Sequence, residues 1–234
     1  MGVYLRQLLT GRDFATADVF ATQMANFVYL VGDSDSRECM AVDPAWDIDG
    51  ILNVIDRDGM KLTGVLVTHY HPDHVGGEIF GRTIAGLEQL MEKRPVRIHT
   101  NQEEDEGVRR VTGLSESDTL THQGGDRLSI GAIDVTLLHT PGHTPGSQCF
   151  LVESRLVSGD TLFIDGCGRV DLPGGDAGQM YHSLTQVLAK LPDDTIVYPG
   201  HNYAATTKST IGEQKAHNSY MRVKSREDWL RMMQ

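Results

Sequence analysis

The chain has 234 residues, 39% of them hydrophobic and 23% charged, which is the composition of a soluble globular protein. Its formal net charge of −11 disfavours a nucleic-acid or anionic-lipid partner, because proteins that bind these partners present a basic face. There is no signal-peptide pattern and no apolar run near the ~20 residues of a membrane span, so we expect a cytoplasmic protein.

The first half of the sequence predicts strands alternating with helices. Asp47 can cap a helix in which Ile48, Ile51 and Ile55 recur at helical spacing, and the apolar run 65–67 is typical of a strand buried on both faces. In chain order, we expect a hairpin of strands at 26–31 and 38–42, a helix at 48–57, a strand at 62–67, a helix at 84–91, a strand at 96–99 and a short helix opening at 101–104.

The second half predicts a similar series. We expect strand pairs at 127–130 with 133–138 and at 148–152 with 155–157, a helix at 178–191, a strand at 195–198 and a short helical tail from about residue 209. No low-complexity linker interrupts the chain and no short repeat is present. We therefore expect residues 1–234 to form one domain built of two similar halves.

Three cysteines at wide spacing do not form a disulfide framework, which fits a reducing compartment. Cys39 and Cys149 lie within apolar runs, and we expect them to be buried hydrophobes. Cys167 lies in a glycine-flanked segment, and its role is left open.

The most informative segment is 68–74, Thr-His-Tyr-His-Pro-Asp-His, which follows the predicted buried strand. Alternation along an extended chain places His69 and His71 on the same side, where imidazoles can bind a metal ion. Pro72 then turns the chain, so that Asp73 and His74 point elsewhere. This geometry predicts a second metal close to the first.

Further ligands follow three other predicted strands. His143, Asp160 and His201 are each flanked by glycine or proline, which allow tight turns and close backbone approach. A carboxylate has two oxygens and can bridge two cations, a role that we assign to Asp160. The sequence thus predicts two divalent metals, held by His69, His71, His143 and Asp160 on one side and by Asp73, His74 and His201 on the other.

Two other residues are candidates for hydrogen bonds that orient the metal ligands. Asp43 follows a predicted strand and could orient a metal-bound histidine, and His139 is better placed for a supporting hydrogen bond than for metal binding. We interpret the remaining histidines as ordinary surface or strand-end residues: His99, His122, His182 and His217.

This pattern resembles the metallo-β-lactamase superfamily over about residues 26–202, with Asp43, the 69–74 loop, His143, Asp160 and His201 in the family's order. The resemblance implies an α/β fold, a four-layer αβ/βα sandwich of two mixed sheets flanked by helices. It places the metal site at the edge of the two sheets.

The resemblance also implies metal-assisted chemistry. A single zinc lowers the pKa of bound water from 15.7 to about 7, and the resulting hydroxide can attack an ester, thioester, lactam or phosphodiester. Asp73 would orient that hydroxide as the catalytic residue. Zinc is the expected metal, and iron or manganese accept the same ligands.

Within the superfamily, two branches share features with this chain. Segment 70–77, Tyr-His-Pro-Asp-His-Val-Gly-Gly, looks like glyoxalase II, although we expect no counterpart of the C-terminal helical domain of the longer glyoxalase II enzymes in the residues after His201. Segments 166–171 and 209–215 look more like persulfide dioxygenase, which would use His69, His143 and Asp160 on a single iron.

Because all seven positions of a two-metal site are filled, we favour hydrolysis of a thioester such as a hydroxyacylglutathione. The alternatives are persulfide oxidation and hydrolysis of another ester or lactone. The expected partner is a small thiol-derived substrate, whose carboxylate Arg169 or Tyr203 could bind; Arg169 could instead form a structural ion pair. A homodimer is one assembly that is compatible with the sequence.

Overall fold

The computed structural model describes residues 2–233. Strands and helices alternate along its first half. Within residues 2–122 the strands are β1 (Val3–Leu9), β2 (Phe27–Asp33), β3 (Glu38–Val42), β4 (Lys61–Leu66), β5 (Gly77–Ile79), β6 (Arg82–Ile84), β7 (Arg97–Asn101) and β8 (Thr119–His122). The helices of this part are α1 (Val19–Met24), α2 (Ile48–Arg57), α3 (Pro72–Val75), α4 (Leu87–Lys93) and α5 (Asp105–Thr112).

The second half is richer in antiparallel strands. Within residues 123–233 the strands are β9 (Arg127–Ile130), β10 (Ile133–His139), β11 (Gln148–Val152), β12 (Arg155–Gly159), β13 (Leu162–Phe163), β14 (Gly166–Cys167), β15 (Ile196–Pro199) and β16 (Ser209–Thr210). The helices are α6 (Ala177–His182), α7 (Ile211–His217) and α8 (Arg226–Met232). A π turn (Ser183–Val187) and a 3₁₀ turn (Leu188–Lys190) continue α6.

The strands form two mixed sheets of six strands each. The first has the order β1-β2-β3-β4-β7-β8 and the second β16-β15-β12-β11-β10-β9. In the first sheet β3, β4, β7 and β8 run parallel, whereas β1 and β2 are antiparallel to their neighbours. The short ribbons β5-β6 and β13-β14 stand apart from both sheets.

Strand β2 shows how the layers arise from the sequence. All seven of its residues are buried, and alternate side chains enter different cores. Val28 and Leu30 pack towards the helices that cover the first sheet, whereas Tyr29 and Val31 pack between the two sheets. A third core lies between the second sheet and helices α6 to α8. The result is the four-layer arrangement of two mixed sheets flanked by helices, which confirms the predicted fold class.

Several predicted elements have different boundaries in the structure. Residues 82–84 pair with 77–79 as a hairpin, so the helix predicted at 84–91 begins only at Leu87. The helix predicted to open at 101–104 begins at Asp105, because Asn101 still belongs to β7. Strand β1 was not predicted, since its identity depends on pairing with β2 along the whole strand. Helix α1 and strand β8 were also not predicted.

The cysteines lie where their sequence context indicates. Cys39 and Cys149 are fully buried, and burial raises the pKa of their thiols to about 12 and about 11 respectively. Cys167 is half-buried in β14, and burial raises its pKa to about 12, so it stays a thiol at neutral pH. In the described residues none of the helices has the length and apolarity needed to cross a membrane.

The residues after 208 pack tightly on the second sheet. Ile211 and Trp229 are fully buried in the third core, and the Trp229 indole Nε1 donates to the carbonyl of Ala177 at 2.5 Å. The C-terminal helices therefore contribute to the hydrophobic core of this half.

Replacing Trp229 with alanine should destabilise the protein strongly. We expect the free energy of unfolding to fall by about 3–5 kcal/mol, because the substitution leaves a large cavity and an unpaired carbonyl. Urea titration followed by circular dichroism measures this loss. Met232→Ala, at an exposed position of the same helix, is the control. Equal stability of the two variants would contradict the packing of α8.

Candidate metal centre

The predicted ligands lie at the edge where the two sheets meet. His69 follows β4, His143 follows β10, Asp160 follows β12 and His201 follows β15. Two backbone hydrogen bonds join the sheets at this edge, from Gln148 N to Thr68 O at 3.0 Å and from Phe27 N to Gly200 O at 2.8 Å. Four separate loops are thereby brought to one place.

The motif after β4 presents its side chains in two directions. His71 is extended, and Pro72 then opens the four-residue helix α3, which carries Asp73 and His74. Proline suits the first turn of a helix because it needs no N–H there. The change from extended chain to helix separates His69 and His71 from Asp73 and His74.

Two groups of donor atoms result. His69, His71 and His143 form the first group, in which His143 Nε2 lies 2.9 Å from His71 Nδ1. Asp73, His74 and His201 form the second group, in which the two Nε2 atoms are 3.2 Å apart and Asp73 Oδ2 lies 3.4 Å from His74 Nε2. Each group offers three nitrogen or oxygen donors within 4.8 Å of one another.

Asp160 lies between these groups. Its Oδ2 is 3.6 Å from His143 Nε2 and 3.3 Å from His201 Nε2, and its Oδ1 is 3.4 Å from His74 Nε2. One carboxylate thus approaches donors of both groups, which is the position that a bridging ligand requires.

Hydrogen bonds to the opposite ring nitrogen orient three of the histidines. Nδ1 of His143 donates to the carbonyl of Arg169 at 2.7 Å, and Nδ1 of His201 donates to the carbonyl of Met24 at 2.8 Å. Nδ1 of His74 donates to Asp43 Oδ2 at 3.0 Å. A carbonyl can only accept, so His143 and His201 hold a proton on Nδ1 and turn Nε2 towards the centre, and the bond to Asp43 directs Nε2 of His74 the same way.

Asp43 also fixes His69, through Thr68. The Thr68 hydroxyl donates to Asp43 Oδ2 at 2.5 Å, and its lone pair accepts from Nδ1 of His69 at 3.0 Å. The backbone N–H of Thr68 donates to Asp43 Oδ1 at 2.7 Å. One buried carboxylate therefore orients a histidine of each donor group.

The residues present fit bound metal ions. Nε2 of His69 and Oδ1 of Asp160 are fully buried and have no hydrogen-bond partner, although buried polar atoms are normally paired. Both atoms face the centre with free lone pairs. Imidazole nitrogen and carboxylate oxygen suit zinc and iron.

The charges of the centre also favour cations. Asp43, Asp73 and Asp160 form ion pairs only with histidines among the described residues. Burial raises the pKa of Asp160, but His201 and His74 outweigh burial and hold that pKa well below its usual range. Burial lowers the pKa of His74, but Asp73 and Asp160 raise it to about 10, so the metal-free ring carries a proton that a metal ion would displace.

Glu104 holds together the loops that carry the first group. Its Oε1 accepts from Tyr70 N at 2.7 Å, and its Oε2 accepts from Gly146 N at 2.8 Å. Tyr70 separates His69 from His71, and Gly146 lies in the loop of His143. This buried side chain, just before α5, therefore ties together two loops that follow strands of different sheets.

A pocket of about 530 Å³ opens beside the centre. Its walls include His71, Asp73, His143, Asp160 and His201, together with Arg169, Tyr203 and several apolar side chains. Arg169 is exposed and forms a bidentate ion pair with Asp171 at 2.8 and 2.7 Å, which is the structural role left open from the sequence.

Tyr203 stacks on the ring of His201, with the centroids 4.7 Å apart and the planes at 9°. His139 lies in β10, and its Nε2 donates to the carbonyl of Pro145 at 2.9 Å. It thus supports the loop of His143 by a hydrogen bond and belongs to neither donor group.

Comparison with known proteins identifies the family. Residues 21–201 match the model of the metallo-beta-lactamase superfamily. The chain belongs to the metallo-beta-lactamase superfamily. It is 30% identical to the mitochondrial persulfide dioxygenase ETHE1 of Homo sapiens over 97% of this chain and 85% of that protein. It is 36% identical to the hydroxyacylglutathione hydrolase of Klebsiella pneumoniae over 76% of this chain and 62% of the hydrolase.

A solved structure agrees with this assignment. The crystal structure of ETHE1 from Myxococcus xanthus superposes with a TM-score of 0.80 at 31% identity, covering 98% of this chain and 89% of that one. Members of the superfamily among these relatives include both hydrolases and dioxygenases. Family and donor clusters together indicate an enzyme with a divalent metal site for zinc or iron.

Sequence reasoning missed three residues of this metallo-beta-lactamase centre. Glu104 lies in a polar segment with no distinctive spacing, so nothing in the sequence distinguishes it from a surface glutamate. Asn26 donates from Nδ2 to Asp73 Oδ2 at 3.0 Å, and Phe80 lines the pocket. Both depend on contacts between distant segments.

Weakening the support of two histidines should weaken metal binding. Asp43→Asn replaces one accepting oxygen with an amide N–H₂ group, which faces the donor hydrogens of His74 or Thr68 and cannot accept from them. The histidines lose this orienting bond, so we expect metal affinity to fall about 10- to 100-fold. Metal retained against graded chelator concentrations, measured by emission spectroscopy, tests this. Asp49→Asn, on the exposed face of α2, is the control. Unchanged retention in Asp43→Asn would contradict the orienting role of Asp43.

Glu104 should make the stability depend on pH. Burial raises its pKa from 4.5 to about 7, although the hydrogen bonds from Tyr70 and Gly146 lower it. The folded state therefore binds more protons than the unfolded state between these values, and stability falls as pH rises from about 4.5 to about 7. The shift corresponds to about 3 kcal/mol.

We expect Glu104→Gln to remove the contribution of this carboxyl to the fall in stability between about pH 4.5 and about pH 7. Urea unfolding with excess chelator at pH 5, 6, 7 and 8 measures the difference between wild type and variant. Glu103→Gln, at the exposed neighbouring position, should keep the slope of the wild type. An identical slope in Glu104→Gln would show that this carboxyl does not titrate in the window.

Proposed function

We propose that this protein is a metal-dependent hydrolase that cleaves a thioester, with hydroxyacylglutathione as the reference substrate. The observation that carries the proposal is the second donor group, since Asp73, His74 and His201 are all buried with their donor atoms converging. His74 and His201 are moreover held by separate hydrogen bonds that free Nε2. Such support is expected for metal ligands in use.

Two divalent metals bound by these groups would activate water and polarise the thioester carbonyl. His69, His71 and His143 would hold one, and Asp73, His74 and His201 the other, with Asp160 between them. In the net reaction, water forms a C–O bond to the carbonyl carbon and the C–S bond breaks. The products are a carboxylic acid and the thiol, whose sulfur takes up one proton from water.

Asp73 is placed to accept a hydrogen bond, and then the proton, from the attacking water. Burial raises the pKa of Asp73, but His74 and His201 outweigh burial and lower it, so the carboxylate is ionised and can accept a hydrogen bond. Asn26 fixes one of its oxygens, and Asp73 lines the pocket. No serine, cysteine or lysine is among the described residues that line this pocket, which supports water as the nucleophile.

The hydroxyl of Tyr203 can donate a hydrogen bond to the substrate. Burial and the nearby Asp160 and Asp73 raise the pKa of its phenol, so the hydroxyl keeps its proton at neutral pH. Its ring is fixed against His201 and against Phe163, whose ring centroid lies 5.4 Å away. A protonated hydroxyl at the pocket can hydrogen-bond to a substrate oxygen.

Persulfide dioxygenation is the second candidate, and the similarity to ETHE1 over 97% of this chain favours it. That reaction would use His69, His143 and Asp160 on one iron, a two-histidine, one-carboxylate set. Hydrolysis of another ester or lactone at the same two-metal site is a third candidate.

A paired assay distinguishes the candidates. We expect the purified protein with its bound metal to cleave S-lactoylglutathione, followed by loss of thioester absorbance, and to take up no oxygen with glutathione persulfide. Asp73→Asn should lower hydrolysis about 10²- to 10⁴-fold, because it removes the proton acceptor and a ligand of the second group. Metal analysis accompanies each measurement.

Asp49→Asn serves as a charge-matched control on the surface. Oxygen uptake by protein carrying one iron, with Asp73→Asn retaining that uptake, would refute hydrolysis and establish the dioxygenase.

A further inference from the structure

The hairpin of β5 and β6 places an aromatic side chain at the mouth of the pocket. Ile79 and Phe80, at the end of β5 and in the turn, both line the pocket. Phe80 is 86% exposed, although an aromatic side chain gains most by burial. The turn end of the hairpin is anchored, because the guanidinium of Arg82, directly after the turn, lies 4.9 Å from the centroid of the Phe20 ring and 3.6 Å from Asp18.

Phe80 also occupies an unfavourable backbone conformation. The hairpin turn consists of Phe80 and Gly81, with φ values of +51° and +74°. Two-residue turns of this kind favour asparagine, aspartate or glycine at the first position, because other side chains are strained at positive φ. An exposed aromatic residue in a strained conformation does not serve stability, and such positions often serve function.

Other apolar side chains line the pocket as well. Phe163, Leu172 and Met24 are among its lining residues. Arg169 is the one lysine or arginine among its described lining residues, and its guanidinium already donates to Asp171 from Nε and Nη2. The remaining charged groups of the wall are the aspartates and histidines of the centre. The lysine or arginine charge that a substrate carboxylate could meet beside these apolar side chains is therefore already paired with Asp171.

We infer that the hairpin and the other apolar side chains of the pocket bind an apolar acyl chain, so that the preferred thioester carries a chain of several carbons rather than a small hydroxyacyl group. The inference rests on the proposed hydrolysis and names its substrate class. The volume of about 530 Å³ lies in the ~300–1,000 Å³ range of pockets that enclose most of a small ligand. The charged thiol carrier would lie towards solvent.

The first test compares acyl chains on one carrier. With S-acetyl-, S-butanoyl-, S-hexanoyl- and S-lactoylglutathione, we expect kcat/KM to rise about two- to fourfold per added methylene and to be lowest for the lactoyl and acetyl groups. Phe80→Asn should make the loss grow with chain length, from about twofold for acetyl to about tenfold for hexanoyl. Phe80→Leu should restore most of the hexanoyl rate.

Phe80→Asn distinguishes a loss of substrate binding from a loss of stability. Asparagine suits positive φ, so this substitution should leave the melting temperature equal or higher. Leu120→Asn, an exposed apolar residue of β8 outside the pocket, should leave the whole series unchanged. A series without chain-length dependence, or Phe80→Asn with the profile of the wild type, would overturn the inference while leaving hydrolysis intact.

Binding of uncleavable thioethers gives a readout without turnover. We expect S-hexylglutathione to bind more tightly than S-methylglutathione by calorimetry, and Phe80→Asn to reduce the difference about tenfold. If the thioethers show this preference but no thioester is cleaved, the apolar site stands and the hydrolase proposal fails. Equal affinity of both thioethers for the wild type would overturn the apolar site.

Discussion

Three carboxylates buried at one edge of the fold, those of Asp43, Asp73 and Asp160, impose the main physical constraint on this protein. Burying an anion is costly unless it is paired or binds a metal ion. Here the partners are imidazoles and the N–H groups of Thr68 and Asn26. The loops that carry these partners must close around the carboxylates, and the remaining free lone pairs point inward to where cations would sit.

Because the ligands come from different sheets, their positions depend on contacts that are not ligands. Glu104 joins the loops of His69 and His143, and Asp43 orients His69 and His74 together. These buried acceptors are as specific in geometry as the ligands, and they preorganise the site before any metal binds. The packing of the two sheets and the chemistry of the centre are thus parts of one arrangement.

The pocket divides into a polar and an apolar part. The candidate metal ligands form the polar part, which metal-dependent hydrolases and dioxygenases can both use, whereas the apolar part would contact the portion of the substrate beside the reacting group. A shared fold therefore says less about the substrate than the apolar side chains of the pocket do. Phe80 lines the pocket in an unfavourable backbone conformation, with φ of +51°, and it is this combination that motivates the proposed role in binding.

The sequence by itself determined the candidate ligands, because they depend on local patterns, and the fold class followed from the resemblance of these motifs to a known superfamily. The apolar run 65–67 predicts a doubly buried strand, and the spacing of His69, His71, Asp73 and His74 places donors on two sides of a turn within one short segment. Cys39 and Cys149 were likewise predictable from their apolar neighbours.

Only the tertiary structure decided which distant groups support that segment. Glu104 contacts residues 34 and 42 positions away, and Asn26 reaches Asp73 across 47 positions, so no periodicity encodes either contact. Ile84, the first residue of a helix predicted from the sequence, belongs instead to a strand, because residues 82–84 pair with 77–79. Side-chain contacts across sheets are set by the packing of whole layers, and local sequence carries no record of them.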